Sequence, residues 1–410
     1  MQIKKDKQYY RFALYGFLKN LRFFDPFLIL FFREMGLSFL EIGTLISVRE
    51  ISTNLLELPT GFIADLYGRR LSMVLSMISY LASFIIFYFF PNFFVYLLAM
   101  IAFAFGEAFR TGTHKAMILE YLRLNGMTDM KVHYYGATRA ASQLGSAINA
   151  LIAAFLVFYS GSYKIVFLAS VVPYVFNLLN LASYPRALDG ELKTSQKGET
   201  MKTFLGIFKS RDSLRGVLNS SLYDAFFKVV QEYLQPILKA MALGLPIMLA
   251  YDPKQRTSIL VGIVYFVIYF ATSYASRNAG RISERFGDNA RALNYSYLLG
   301  AVLIIFSGFF QRTGIQIVAI LIFFLLFVLE NLRRPVNISY ISDTIDHKTM
   351  ASGLSVESQL KTLLIAILAP VIGLLADLTG VGFALISAGL LMGALYFLVR
   401  LRPASSAPRP

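Results

Sequence analysis

Ionisable residues stand inside the apolar stretches of this chain at spacings that suit binding a charged solute or carrying a proton. They are Arg22 and Asp25, Arg49 and Glu50, Glu107 and Arg110, Asp224 and Lys228, and Glu330 and Arg333. A charge at the centre of an apolar layer costs at least ~2.5 kcal/mol if unpaired, so each either has a counter-charge or handles substrate. Arg22 and Asp25 are three apart, which on one helix gives a shared face and mutual neutralisation. Arg49 and Glu50 are adjacent and point different ways, so their partners are expected on other helices. Asp224, Lys228 and Glu232 are spaced by four and alternate in sign, a stripe that must line protein or a wet cavity. Proton carriage needs a carboxylate whose affinity for the proton changes as it exchanges water for protein. Asp25, Glu50 and Asp224 are the candidates, with Arg22, Arg49 and Lys228 as the cations that would reset them. The mixed signs favour a zwitterionic, anionic or amphiphilic solute over a neutral sugar. For any one of these residues a purely structural ion pair is the competing reading.

The elements that must position these charges are membrane helices. The chain has 410 residues, 56% hydrophobic and 15% charged, against about 25% charged in a soluble domain. Twelve stretches are long enough to cross an apolar layer of about 30 Å: 11–32, 39–60, 71–90, 93–116, 135–158, 163–182, 215–238, 257–276, 291–310, 315–334, 351–374 and 381–400. The net charge of +15 is a topology signal rather than a footprint for nucleic acid. With both termini inside, the inner segments hold 23 Lys or Arg and the outer loops six, the bias of a chain with cytoplasmic termini. Residues 11–32 read as a first span rather than a signal peptide.

With no Cys, thiolate metal sites and disulfides are excluded. No G-x-x-x-x-G-K-[ST] phosphate loop occurs, which argues against ATP-driven transport, and no nucleophile-and-base arrangement suggests an enzyme. His114, His133 and His347 fall near inner span ends and read as interfacial polar residues rather than metal ligands.

The chain repeats itself. Gly61, Asp65 and Gly68, in ELPTGFIADLYGRR, return 219 positions later as Gly280, Glu284 and Gly287. Glu107, Arg110 and Glu120 return 223 positions later as Glu330, Arg333 and Asp343, with signs kept. SQLGSAI after Ser142 is matched by SQLKTLL after Ser358. Such repeats mark transporters whose site lies between two halves. The expected division is a six-helix bundle over 1–183, an inner linker over 184–214 with a short amphipathic helix near 201–209, a second bundle over 215–402 and a tail over 403–410.

These features resemble the major facilitator superfamily, and the E-x-P-T-G-x-x-A-D-x-x-G-R-R run from Glu57 to Arg70 looks most like its drug-exporter-like branch. The resemblance implies an all-α membrane fold of twelve helices in two halves. It also implies an inner charge latch in which Asp65 and Arg69, with Gly61, Gly68 and Arg70 shaping the loop, join Glu120. Gly280, Glu284, Gly287, Arg285 or Arg291, and Asp343 would form a weaker second copy. The expected activity is secondary active transport of a small organic solute by alternating access, with proton-coupled efflux foremost. Uptake by symport, and a non-transporting sensor or lipid scramblase, are the alternatives. No cofactor beyond the proton is implied, the partners are solute and bilayer, and the expected setting is a monomer in the plasma membrane.

Overall fold

The computed structural model describes residues 6–190, 211–246, 249–286, 288–344 and 350–402, with the side chains of 58, 129, 132, 211–212, 276–286, 342–344 and 350–355 outside that description. Among the described residues the chain is helical and holds no strand. The helices are α1 (Lys7–Leu18), α2 (Leu28–Glu34), α3 (Phe39–Tyr67), α4 (Arg69–Phe89), α5 (Phe93–Arg110), α6 (Thr113–Leu124), α7 (Lys131–Ser160) and α8 (Ile165–Ala182). They continue as α9 (Arg211–Val230), α10 (Leu234–Gly244), α11 (Pro253–Phe286), α12 (Asn289–Arg312), α13 (Gln316–Thr344), α14 (Met350–Thr379) and α15 (Val381–Val399). Nine segments among the described residues are long and apolar enough to cross a membrane. Large apolar side chains such as Phe94, Phe270 and Phe397 are 73%, 71% and 79% exposed, as suits a surface solvated by lipid rather than water. The expected amphipathic helix near 201–209, and the tail over 403–410, lie outside the described residues.

Two compact units divide the chain. One comprises Met1–Leu37, Val48–Ser195 and Pro246–Tyr269, the other Ser38–Ser47, Gln196–Leu245 and Phe270–Pro410. In the first unit α4 and α5 are stitched by hydroxyls: Ser72, Ser76 and Ser83 donate to the carbonyls of Phe109, Gly106 and Ala99 at 3.1, 2.6 and 2.8 Å. In a bilayer, where apolar contact gives helices little drive to associate, such bonds and small residues hold them together. Gly16 of α1 shows the small-residue side: a Cβ there would meet the Thr138 carbonyl oxygen at 2.6 Å.

The first span is not one helix. α1 stops at Leu18, a 3₁₀ turn forms at Asp25–Phe27, and α2 starts at Leu28. The backbone groups freed at 19–24 are met by side chains of α7 and α8. Asn149 Nδ2 donates to the Arg22 carbonyl at 3.0 Å, the Phe23 amide donates to Ser170 Oγ at 3.1 Å, and the Tyr174 hydroxyl donates to the Lys19 carbonyl at 3.0 Å. In a chain surrounded by apolar side chains, a helix break persists only with this kind of internal satisfaction. It corrects the continuous span expected over 11–32, and with it the shared helical face of Arg22 and Asp25. The fourth expected span is also divided, at Thr111–Gly112, where Gly112 takes φ +74°.

The second unit has a comparable irregularity. α9 ends at Val230 and passes through a 3₁₀ turn at Gln231–Tyr233 before α10. The tighter turn moves Glu232 out of the four-residue register expected with Asp224 and Lys228. Lys228 itself is exposed, so the alternating stripe is not a single buried face.

Candidate functional site

In the first unit the charges gather on Glu107, near the end of α5. Its carboxylate receives Arg22 from the break after α1, at 2.5 Å, and Arg110 one helical turn further along α5. The Tyr80 hydroxyl of α4 accepts from Arg22 Nη2 and from Arg110 Nε, both at 3.2 Å, and Arg22 Nε donates to Tyr174 at 2.8 Å. Rings of Tyr80 and Phe103 lie 5.3 and 5.2 Å from the Arg22 guanidinium. The expected pair of Arg22 with Asp25 is therefore replaced by an Arg22–Glu107–Arg110 bridge, because the break turns Arg22 toward α4 and α5. Asp25 remains among the charges acting on Arg22.

Arg49 and Glu50 also depart from expectation. They pair with each other, with Arg49 Nη2 and Nε at 2.8 and 3.1 Å from Glu50 Oε1. Their Cα–Cβ bonds diverge, but the long arginine stem swings round to its neighbour, which a rule based on helical spacing does not capture.

In the second unit the repeat keeps the residues and changes their partners. Arg333, 3% exposed, ignores Glu330. Its Nη1 donates to the Leu293 carbonyl at 2.6 Å and Ser296 Oγ at 2.7 Å, its Nη2 donates to Asn219 Oδ1, and its guanidinium lies 4.2 Å from the Tyr223 ring. Glu330 is left with Oε2 buried and no hydrogen-bond partner among the described residues. The strongest charge acting on it is another carboxylate, Asp224 of α9. Asp224 in turn is surrounded by Lys361, Glu357, Arg333 and Arg334, and Glu357 accepts from Ser220 Oγ at 2.8 Å. Arg334, Arg333 and Lys361 also act on Glu330, but none of them donates to its Oε2 among the described residues, and that follows from where Arg333 turns, which the repeat alone does not reveal.

The loop between α3 and α4 has a different arrangement from the expected latch. Asp65 is exposed and pairs with no cation among the described residues, and a Cβ on Gly61 would meet nothing within 4 Å. Glu120 holds Arg123 at 2.6 Å, with Arg69 among the further charges acting on it. Gly68 takes φ +98°, a backbone shape that glycine alone adopts cheaply. Asp189, from the 3₁₀ turn after α8, fits against it and accepts from the Arg70 amide at 2.6 Å. Asp189 thus supplies the N-terminal acceptor that α4 lacks locally, and sequence reasoning missed it. An Asp-Gly pair just past an apolar span was the available signal. Asp377 likewise accepts from the Phe39 and Leu40 amides at the start of α3, at 2.9 and 2.8 Å, adding to the local Ser38 acceptor of the Glu41 amide.

The side chains of Gly280, Glu284 and Asp343 are outside the description, as is Gly287 altogether, so the second latch copy is described only at Arg291. His114 corrects the interfacial reading. It is buried, stacked on Tyr15 with centroids 3.8 Å apart, and its Nε2 lies 3.3 Å from the Tyr184 hydroxyl. His133 is exposed and His347 lies outside the described residues. Among the described residues, no group of three His, Asp or Glu is placed to hold a metal ion.

A fold of irregular membrane helices with a duplicated charge pattern agrees with the family comparison, in which the sequence model of the Major Facilitator Superfamily matches residues 13–358. The chain belongs to the Major Facilitator Superfamily. Among solved structures, the nucleoside transporter NupG superimposes with a TM-score of 0.76 over 96% of this chain and 98% of its own, at 12% identity. A peptide transporter, POT, in complex with sulfate gives 0.69 over 96% and 95% at 11% identity. A POT family transporter in complex with 5-aminolevulinic acid gives 0.66 over 95% and 93% at 14% identity. At these identities the likeness is one of fold. No curated protein matches by sequence. Membership makes the chain a multi-pass membrane transporter rather than an enzyme.

Proposed function

We propose that this chain is a secondary active transporter that moves a small polar organic solute by alternating access, coupled to protons in the direction of efflux. The observation that carries the coupling is the Asp224–Glu330 pair: two carboxylates acting on each other, of which Glu330 has a buried oxygen with no donor among the described residues. Two acids in one desolvated site cannot both ionise cheaply, so such a pair exchanges a proton as its surroundings change. Of the earlier candidates, Glu50 is committed to Arg49 and Asp25 lies beside Arg22, so neither offers the same freedom. Nucleoside and peptide transporters among the fold neighbours support a small polar solute. The drug-exporter-like run at Glu57 to Arg70 supports efflux.

The test is solute-dependent proton movement in proteoliposomes holding an internal pH dye, under an imposed pH gradient and a diverse solute panel. Coupled export predicts that solute moving one way drives protons the other. Protons moving with the solute would replace efflux by symport, and solute flux without proton movement would remove the coupling.

A further inference from the structure

We infer that the first unit carries an anion-binding subsite formed by Lys19, Arg22 and Arg110, which takes the carboxylate or phosphate group of the solute; the inference rests on the transporter reading above. Charge count is the first observation. Lys19, Arg22 and Arg110 act on one another around Glu107, with Asp25 beyond Arg22. Even with Asp25 counted, three cations face two carboxylates, and both arginines already share the single carboxylate of Glu107. A surplus cation beside two guanidiniums and away from solvent is costly and persists where it has a task.

The second observation is an unspent donor. Lys19 closes α1 at the break, and its ammonium lies 5.6 Å from the Tyr15 ring centroid. Among the described residues that ammonium donates to no oxygen. Its backbone is fixed, since the Tyr174 hydroxyl holds the Lys19 carbonyl and Asn20 Nδ2 donates to the Ser142 carbonyl at 2.8 Å. The donor is thus free while its anchor is rigid, which is how a preorganised site is built.

The third observation is access. The side chains of Arg22, Glu107 and Arg110 keep 18%, 18% and 24% of their surface accessible, so an incoming group can reach them. The Tyr80 and Tyr174 hydroxyls accept from Nε and Nη2 of Arg22 and Nε of Arg110, which leaves the Nη1 groups to be shared with a ligand oxygen. Guanidinium and ammonium together suit a carboxylate or a phosphate monoester, the groups that accept several charge-assisted bonds at once. Glu107 then serves as the resident anion that holds the two arginines together when the solute is absent.

The experiment measures binding to the purified full chain in nanodiscs, by calorimetry and by shift in melting temperature. The probes are aromatic and aliphatic monocarboxylates and phosphate monoesters, each paired with its neutral amide or alcohol. The expected result is binding of at least one anion but not its neutral counterpart, weakened by about tenfold or more in Lys19→Gln and unchanged in Lys115→Gln, an exposed lysine of the same unit. Preference between carboxylate and phosphate members identifies the source of the charge. Equal binding of anions and their neutral partners, no binding of any anion, or equal effects of the two lysine variants would each overturn the subsite. Flux in proteoliposomes is read separately. Anion binding without flux keeps the subsite and rejects the transporter reading, whereas flux of neutral solutes alone does the reverse.

Discussion

Glu107 and Arg110 in α5, and Glu330 and Arg333 in α13, are copies of one another 223 positions apart, yet they make opposite use of the same two residue types. In the first unit the acid is held between two guanidiniums. In the second the arginine turns to a carbonyl, an amide and a ring, and the acid is left facing Asp224. The cause is local. The break after α1 delivers a second arginine, Arg22, to the first acid, whereas α9 delivers an acid, Asp224, and an amide, Asn219, that captures Arg333. One half thereby holds its acid between two guanidiniums, and the other sets two carboxylates against each other, the pair proposed above to exchange a proton.

The comparison is broken most sharply by neutralising each acid in turn. Glu107→Gln strands two partly buried guanidiniums and is expected to cost about 3–5 kcal/mol, seen as a large drop in melting temperature in detergent. Glu330→Gln breaks no ion pair among the described residues, since Arg333 is held by the Leu293 carbonyl, Ser296 and Asn219, and is expected to leave the melting temperature close to that of the parent. Equal losses would show that the two acids are held alike after all.

Arg333→Lys comes next. A lysine cannot reach the Leu293 carbonyl, Ser296 and Asn219 together, so about 2–3 kcal/mol should go, without the change in solute binding expected from altering Arg110. The smallest effects come from the tyrosines. Tyr80→Phe removes a hydroxyl that accepts from both arginines and should cost about 1 kcal/mol, whereas Tyr223→Phe removes a buried hydroxyl with no hydrogen-bond partner among the described residues and should fall within about 0.5 kcal/mol of the parent. Melting curves of the two phenylalanine variants, measured side by side, check this.

The repeat, the membrane class and the family were legible in the sequence because they depend on spacing and hydropathy, which survive without coordinates. The partners of the charges were not. Arg22 was assigned to Asp25 by assuming helical geometry through 19–24, where the backbone instead bends and is satisfied by Asn149, Ser170 and Tyr174. Arg49 and Glu50 were separated by a rule about adjacent positions that a flexible four-bond side chain evades. Asp189 lay in what read as a tether, 119 residues from the amide it caps. Long-range choices of this kind depend on which helix brings a competitor, and no local pattern records that.

The central claim is that the second unit, through Glu330 and Asp224, carries the coupling proton while the first holds its charges fixed. The most direct test compares two readings on Glu330→Gln in proteoliposomes: exchange of labelled solute between equal concentrations, and solute movement driven by a pH gradient. The account predicts that exchange persists while the pH-driven component is lost. Retention of parental pH-driven transport by Glu330→Gln, with exchange also intact, would contradict it.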